Sequence, residues 1–275
     1  MNFMEQLPGY RAYLKREEKS GATQEKYLRD VRAFVCFVGD REITKELVLE
    51  WKRNLSVQGY AARSINSMLA SVNSLLQYLG CPELRVKNLR IQNPTYATDS
   101  QELTKEEYFR LLRASAGKKQ LHLVLQAICG TGIRVSELRY FTVEAVSRGE
   151  IHIDNKGKNR HILLPKKLQK MLLCYARSRG TGEGAIFLGK NGKPLDRSYI
   201  WRQMKELCAV AGVCSSKVFP HNLRKLFART FYALEKDIAK LADILGHSSI
   251  DTTRIYLVTS GREHRRKIER LGLLQ

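Results

Sequence analysis

Leu245-Gly246-His247-Ser248-Ser249-Ile250-Asp251-Thr252-Thr253-Arg254-Ile255-Tyr256 is the most informative stretch of the 275-residue chain. The glycine closes a helix expected over about 238–245, because glycine enters the left-handed conformation of a helix C-terminus without a Cβ penalty. A second helix is expected over about 249–258. Tyr256 then follows His247 by nine residues. Taken alone, Tyr256 at helical spacing from Thr252 is compatible with ordinary core, so the neighbouring polar residues must decide its role.

Upstream, His221-Asn222-Leu223-Arg224 sets an imidazole and a guanidinium three residues apart, on one face of a helix expected over 221–235. Thr131-Gly132-Ile133-Arg134-Val135-Ser136-Glu137-Leu138 places Arg134 just after a glycine turn, at the mouth of a helix. Between these lies a hairpin: Glu150-Ile151-His152-Ile153-Asp154, a turn at Asn155-Lys156-Gly157-Lys158, then Arg160-His161-Ile162-Leu163-Leu164. Lys156 sits where a flexible ammonium projects from a rigid ribbon. Each residue also has a structural reading. Arg134 has Glu137 as a partner, Lys156 is a solvated turn residue, and His221 caps a helix. Together and in this order they outweigh those readings.

This half opens on a capping box, Thr104-Lys105-Glu106-Glu107, and continues with helices around 120–129, 135–138, 167–178 and 198–211. A domain over 103–275, mainly α with a small β-sheet, is therefore expected. The first part, 1–92, reads as four short amphipathic helices. The clearest runs from Ser64, a candidate cap, to Leu79, with Ile65, Met68, Leu69, Val72, Leu75, Leu76 and Leu79 in one stripe. Others cover about Thr23–Val38 and a stretch from a Thr44 cap through Leu55. The one before Ser20 is interrupted by Pro8 and Gly9. Residues 93–102, with Asn93-Pro94, form a linker.

The chain holds 48 Lys+Arg against 27 Asp+Glu, a formal charge of +21. Residues 1–100 contribute 15 against 11, and residues 101–275 contribute 33 against 16, so the excess sits on the second half. A polyanion, nucleic acid first, is the expected partner. No apolar run approaches the roughly 18 residues of a membrane span, and the start Met1-Asn2-Phe3-Met4-Glu5-Gln6 lacks the features of a secretion signal, which places the protein in the cytoplasm by default. The six cysteines (36, 81, 129, 174, 208, 214) form no C-x-x-C pair and read mostly as small buried hydrophobes. The basic half offers only isolated acids, with no D-x-D run, and no G-x-x-x-x-G-K-[ST] loop is present. If the chain cuts nucleic acid, the expectation is that it does so without metal, ATP or other cofactor.

With these residues quoted, the second half resembles the catalytic domain of the tyrosine recombinase (phage integrase) family. The matching motifs are T-G-I-R-x-S-E-L at 131–138, K-G-K at 156–158, H-N-L-R at 221–224 and L-G-H-x-x-x-x-T-T-x-x-Y at 245–256. The helical first part resembles the family's core-binding, SAM-like domain, so the likeness spans nearly the whole chain. The wording of Leu241–Tyr256 is similar to integrases of bacterial mobile elements.

The resemblance implies a site-specific DNA recombinase that cuts and rejoins duplex DNA. Tyr256 would attack the scissile phosphodiester, leaving a 3′-phosphotyrosyl link. Arg134 and Arg224 would clamp non-bridging oxygens, and His221 would serve as acid/base and phosphate ligand. Lys156 would protonate the leaving 5′-oxygen, and His247 would donate a hydrogen bond to phosphate. Spacing to Pro165 leaves Lys158 open as the acid, with Arg160 as an added phosphate contact. Lys225 stands where many relatives carry a second histidine. The implied partners are double-stranded DNA, gripped between the two domains, a homotetramer on synapsed sites, and an accessory DNA-bending or directionality factor. Faces around Ser64–Asn73 and Tyr199–Lys205 are candidate groove readers, and the basic tail Arg262–Leu271 is a candidate docking helix. The rival readings are a silent DNA-binding regulator on the same fold, and a topoisomerase or resolvase using the same chemistry.

Overall fold

The computed structural model describes residues 6–92, 102–155, 158–189, 191–257, 265 and 268–271. Two compact units divide the chain, Met1–Asn93 and Pro94–Gln275.

The first unit is a four-helix bundle: α1 Leu7–Arg16, α2 Gly21–Val38, α3 Lys45–Val57 and α4 Ala62–Tyr78. Ser20 and Thr44 cap α2 and α3 through hydrogen bonds from the N–H groups of Thr23 and Leu47. Pro8 does not interrupt α1. It lies in the first turn, where its missing N–H has no partner to lose. Ser64 is not the cap of α4 either: the helix starts at Ala62 behind Ala61, with no side-chain cap, and Ser64 lies inside its first turn. Tyr10, Phe34, Ile65, Leu69, Leu75 and Leu76 fill the core. The segment after α4 is tied back by two asparagines. Asn73 exchanges both amide hydrogen bonds with the backbone of Val86, and Asn66 does the same with Leu89. Those two side chains on the proposed groove-reading face are therefore committed to holding backbone.

The second unit contains α5 Lys105–Ala114, α6 Lys119–Thr131, α7 Val143–Arg148, strands β1 Glu150–Asn155 and β2 Lys158–Leu163, then α8 Lys166–Ser178, α9 Arg197–Ala211, α10 Pro220–Glu235, α11 Ile238–Leu245 and α12 Ile250–Arg254. Thr104 and Glu107 form the expected reciprocal capping box. The strands pair antiparallel with Ile151 opposite Ile162 and Ile153 opposite Arg160, so that Ile151, Ile153 and Ile162 face the core. Helix α6 packs on α10, and its residues Val124, Leu125 and Ile128 are essentially unexposed. This is a mainly α fold with a small β-sheet, and among the described residues the sheet has two strands.

Further expectations are corrected, and one helix is unforeseen. Residues 135–140 form a 3₁₀ helix rather than an α-helix. Helix α7, capped by Thr142, is too short for periodicity to reveal. Helix α12 ends at Arg254, so Tyr256 sits in the turn after it, with its N–H donating to the Thr253 carbonyl. Of the cysteines only Cys208 is buried, while Cys36, Cys174 and Cys214 are exposed, and all are free. Half of the tail helix expected at 262–271 lies outside the described residues. Among the described residues no helix is long and apolar enough to cross a membrane.

Candidate active site

Helix α6 ends on Gly132, whose φ of +65° is left-handed. A Cβ there would also collide with Phe227 of α10 and press on Leu245 of α11, so the turn is in close contact with both. Arg134 emerges next. Its backbone N–H and Nη1 donate to the two oxygens of Glu137 at 2.9 and 3.0 Å, and Nη2 donates to the Gly246 carbonyl at 3.1 Å. The Glu137 side chain is only 2% exposed and accepts a further bond from Arg160 Nη2 at 2.6 Å. One buried carboxylate thus fixes two guanidiniums. Gly246, at φ +63°, leaves the room that the Arg160 side chain occupies. Arg160 thus has an anchoring contact to Glu137 through Nη2, while its Nε is buried without a hydrogen-bond partner.

The first turn of α10 carries His221, and Arg224 follows three residues later, 2% exposed. Arg224 donates to the carbonyls of Gly132 and Leu245 and, from Nη2, to His247 Nε2 at 3.0 Å. Its Nε is buried without a hydrogen-bond partner. Burial first, then repulsion from Arg134, pushes the Arg224 pKa down to about 10, which still leaves it charged at neutral pH.

His247 follows Gly246 at the end of α11, and its Nδ1 lies 2.9 Å from Thr253 Oγ1. The Tyr256 ring stands between two imidazoles, perpendicular to each, with centroids 5.0 Å from both His221 and His247. The Tyr256 hydroxyl is 3.5 Å from His221 Nδ1. Desolvation and the neighbouring cations Lys225, Arg224, Arg197 and Arg134 lower the His221 pKa. Burial, then Arg224, Arg134, Arg160 and His221, lower that of His247 to about 4. Both rings are therefore neutral at pH 7.

This has a consequence for stability. His247 binds a proton at about 6.5 when unfolded and only at about 4 when folded, so the unfolded chain holds more protons between those values. The contribution is complete above pH 6.5 and is lost as the pH falls towards 4. Denaturant unfolding at pH 7 and pH 4.5 should show a smaller acid loss in His247→Gln than in the native chain. Equal losses would contradict the assignment.

A cleft of about 350 Å³ is lined by Arg134, Arg197, Trp201, His221, Arg224 and Tyr256, among others. Four of the six residues singled out in the sequence line it directly, and His247 joins them through Arg224 and the Tyr256 ring. Lys156 lies outside the described residues. Sequence reasoning missed Arg197, although Asp196 caps α9 and so marks the turn on which it sits, and it placed Trp201 only within the candidate groove-reading face. It also missed Thr253, and it saw in Glu137 only a partner of Arg134. Exposed Tyr199 and Trp201 lie on α9, with Lys205 over the Trp201 ring at 5.2 Å.

Residues 101–262 match the phage integrase family, and residues 7–80 match the phage integrase N-terminal SAM-like domain. Tyrosine recombinase XerA of Pyrococcus furiosus is 30% identical over 98% of this chain and 95% of its own length. Tyrosine recombinase XerD of Halalkalibacterium halodurans is 29% identical over 86% of this chain and 87% of its own. A crystal structure of XerA recombinase superposes with a TM-score of 0.56 at 25% identity, covering 98% of this chain and 99% of that one. A lambda integrase (75-356) dimer bound to a COC′ core site shares the fold, with a TM-score of 0.76 at 17% identity, covering 95% and 97%. Helical bundle, α+β unit, clustered arginines and tyrosine all fall within these matches, and the chain belongs to the phage integrase family of tyrosine recombinases.

Proposed function

We propose that this enzyme is a site-specific DNA recombinase in which Tyr256 is the nucleophile and Arg134, Arg224, His221, His247 and Lys156 serve the reacting phosphate. The observation that carries the proposal is the cleft where a phenol meets two anchored guanidiniums and an imidazole. A phenol must give up its proton to act as a nucleophile, so the attack needs a base. Neutral His221, 3.5 Å from the hydroxyl, is placed to take that proton as the phenolic oxygen attacks phosphorus. The new O–P bond forms as the P–O5′ bond breaks, and Lys156 gives its proton to the leaving oxygen. Arg134 and Arg224 stay charged and stabilise the pentacoordinate transition state. The unpartnered Nε of buried Arg224 is a donor that an entering phosphate oxygen would satisfy. Because the phosphotyrosine keeps the energy of the broken ester, a second 5′-hydroxyl can reverse the step without ATP or metal.

The substrate is double-stranded DNA in the cytoplasm, met by both units, with a homotetramer as the assembly that synapses two sites. A nicked duplex, selected by binding from a random pool, should give a covalent adduct in EDTA. Exchange of strands between two such duplexes would separate a recombinase from a relaxing enzyme, and an adduct-free native chain would favour a silent regulator.

The acid is tested separately. Lys156→Ala should slow cleavage about 100-fold or more and Lys158→Ala far less, in the range usual for a general acid. A 5′-bridging phosphorothiolate, whose leaving group needs no proton, should restore Lys156→Ala. The opposite pattern would assign the role to Lys158.

A further inference from the structure

Thr253 is fully buried at the end of α12, and both of its polar groups face the site. Its hydroxyl lies 2.9 Å from His247 Nδ1, and its carbonyl accepts the N–H of Tyr256 at 2.9 Å. On the other edge of the same imidazole, Nε2 is 3.0 Å from Arg224 Nη2. A guanidinium has donors and no acceptor, so Nε2 must accept there. The single proton of the neutral ring is then on Nδ1 and is donated to Thr253 Oγ1. Five charged or titratable groups bear on this ring: Arg134 after α6, Arg160 on β2, His221 and Arg224 on α10, and Tyr256. Glu137 ties Arg134 and Arg160 together behind them.

We propose that Thr253 is a positioning residue that holds His247 as its Nδ1–H tautomer and keeps Nε2 aimed at the phosphate site. The inference rests on the reading of His247 as a phosphate ligand. When a phosphodiester enters, its oxygens take the Arg224 donor, and the released Nε2 lone pair accepts one proton from solvent. The ring becomes an imidazolium, with Nε2–H donated to a phosphate oxygen and Nδ1–H still donated to Thr253. One proton is taken up, the phosphate charge offsets the surrounding cations, and no other group changes its protonation. Without the threonine hydroxyl, the Nδ1–H would be buried without an acceptor. The neutral ring would then favour Nε2–H, repelling Arg224, or turn out of place.

The test uses the full chain labelled with ¹⁵N-histidine, with the His247 signals assigned by their loss in His247→Gln. Thr253→Val keeps the shape and removes the acceptor, and Thr253→Ser keeps a hydroxyl. The native chain and Thr253→Ser should show protonated Nδ1 and bare Nε2, and Thr253→Val should lose that signature. Cleavage of the nicked duplex should fall about 10- to 100-fold in Thr253→Val, as expected when a ligand's orienting partner is removed. It should recover to within about threefold in Thr253→Ser. A native ring protonated on Nε2 overturns the proposal even if Thr253→Val fails to fold. So does a Thr253→Val that keeps the native signature, or a Thr253→Ser that does not recover. The nitrogen signature is recorded without DNA, so a native chain that cleaves nothing would count against the proposed function and not against this assignment.

Discussion

Tyr256→Phe is expected to abolish the covalent adduct, with cleavage at least about ten-thousand-fold below the native rate, the scale of loss seen when a nucleophile is deleted. The substitution removes one oxygen and little else. The ring is 7% exposed and packs edge-on against His221 and His247, contacts that a phenyl ring keeps. The lost hydroxyl contact to His221 is long, at 3.5 Å, so stability should change by no more than about 1 kcal/mol. The Tyr256 side chain also bears on Arg224, but Arg134 and Arg224 keep their anchors on Glu137 and backbone carbonyls, so DNA affinity should stay within about threefold. The measurement is denaturing electrophoresis of protein with a nicked duplex in EDTA, alongside a binding titration at fixed salt. An adduct that persists in Tyr256→Phe, attached through another side chain, would remove Tyr256 from the role.

What the sequence revealed was local. Gly246 and Gly132 announce their turns because both stand where the backbone is left-handed, and the Thr104–Glu107 box closes within three residues. His221 and Arg224 share a face because their helix is regular. What stayed hidden depends on distance along the chain. Asn66 and Asn73 bind backbone 23 and 13 residues away, which no periodicity encodes. Glu137 looks like the partner of Arg134 three residues before it, yet the fold adds Arg160 from 23 residues beyond. Thr253 passes as one of two threonines in a helix until His247 is brought against it. The cysteines misled because apolar neighbours in sequence do not report which face of a helix turns inward: Cys36 lies on α2 beside buried Val35 and is itself exposed.

Glu137→Ala should produce the second large effect, in stability and in cleavage together. The carboxylate is buried, and three donors converge on it: the Arg134 N–H, Arg134 Nη1 and Arg160 Nη2. Removing it leaves the largely buried Arg160 guanidinium without its counter-charge, a change that costs about 3–5 kcal/mol where a buried ion pair is broken. Arg134 would keep its bond to the Gly246 carbonyl but lose the fork that fixes its direction, and cleavage should fall about 100-fold or more even where the protein remains folded. Glu137→Gln discriminates between the two contributions. The amide keeps the volume and one acceptor, but its NH₂ meets a guanidinium donor, so it should restore packing better than activity. In Glu137→Ala, replacing Arg160 with methionine removes the orphaned cation, and stability should recover by more than the two single changes predict, because the residues are coupled. Cleavage should stay low in that double variant, since Arg134 is still unanchored. If Glu137→Ala cleaves within about threefold of the native chain, the buried carboxylate is not what aims Arg134 at the phosphate.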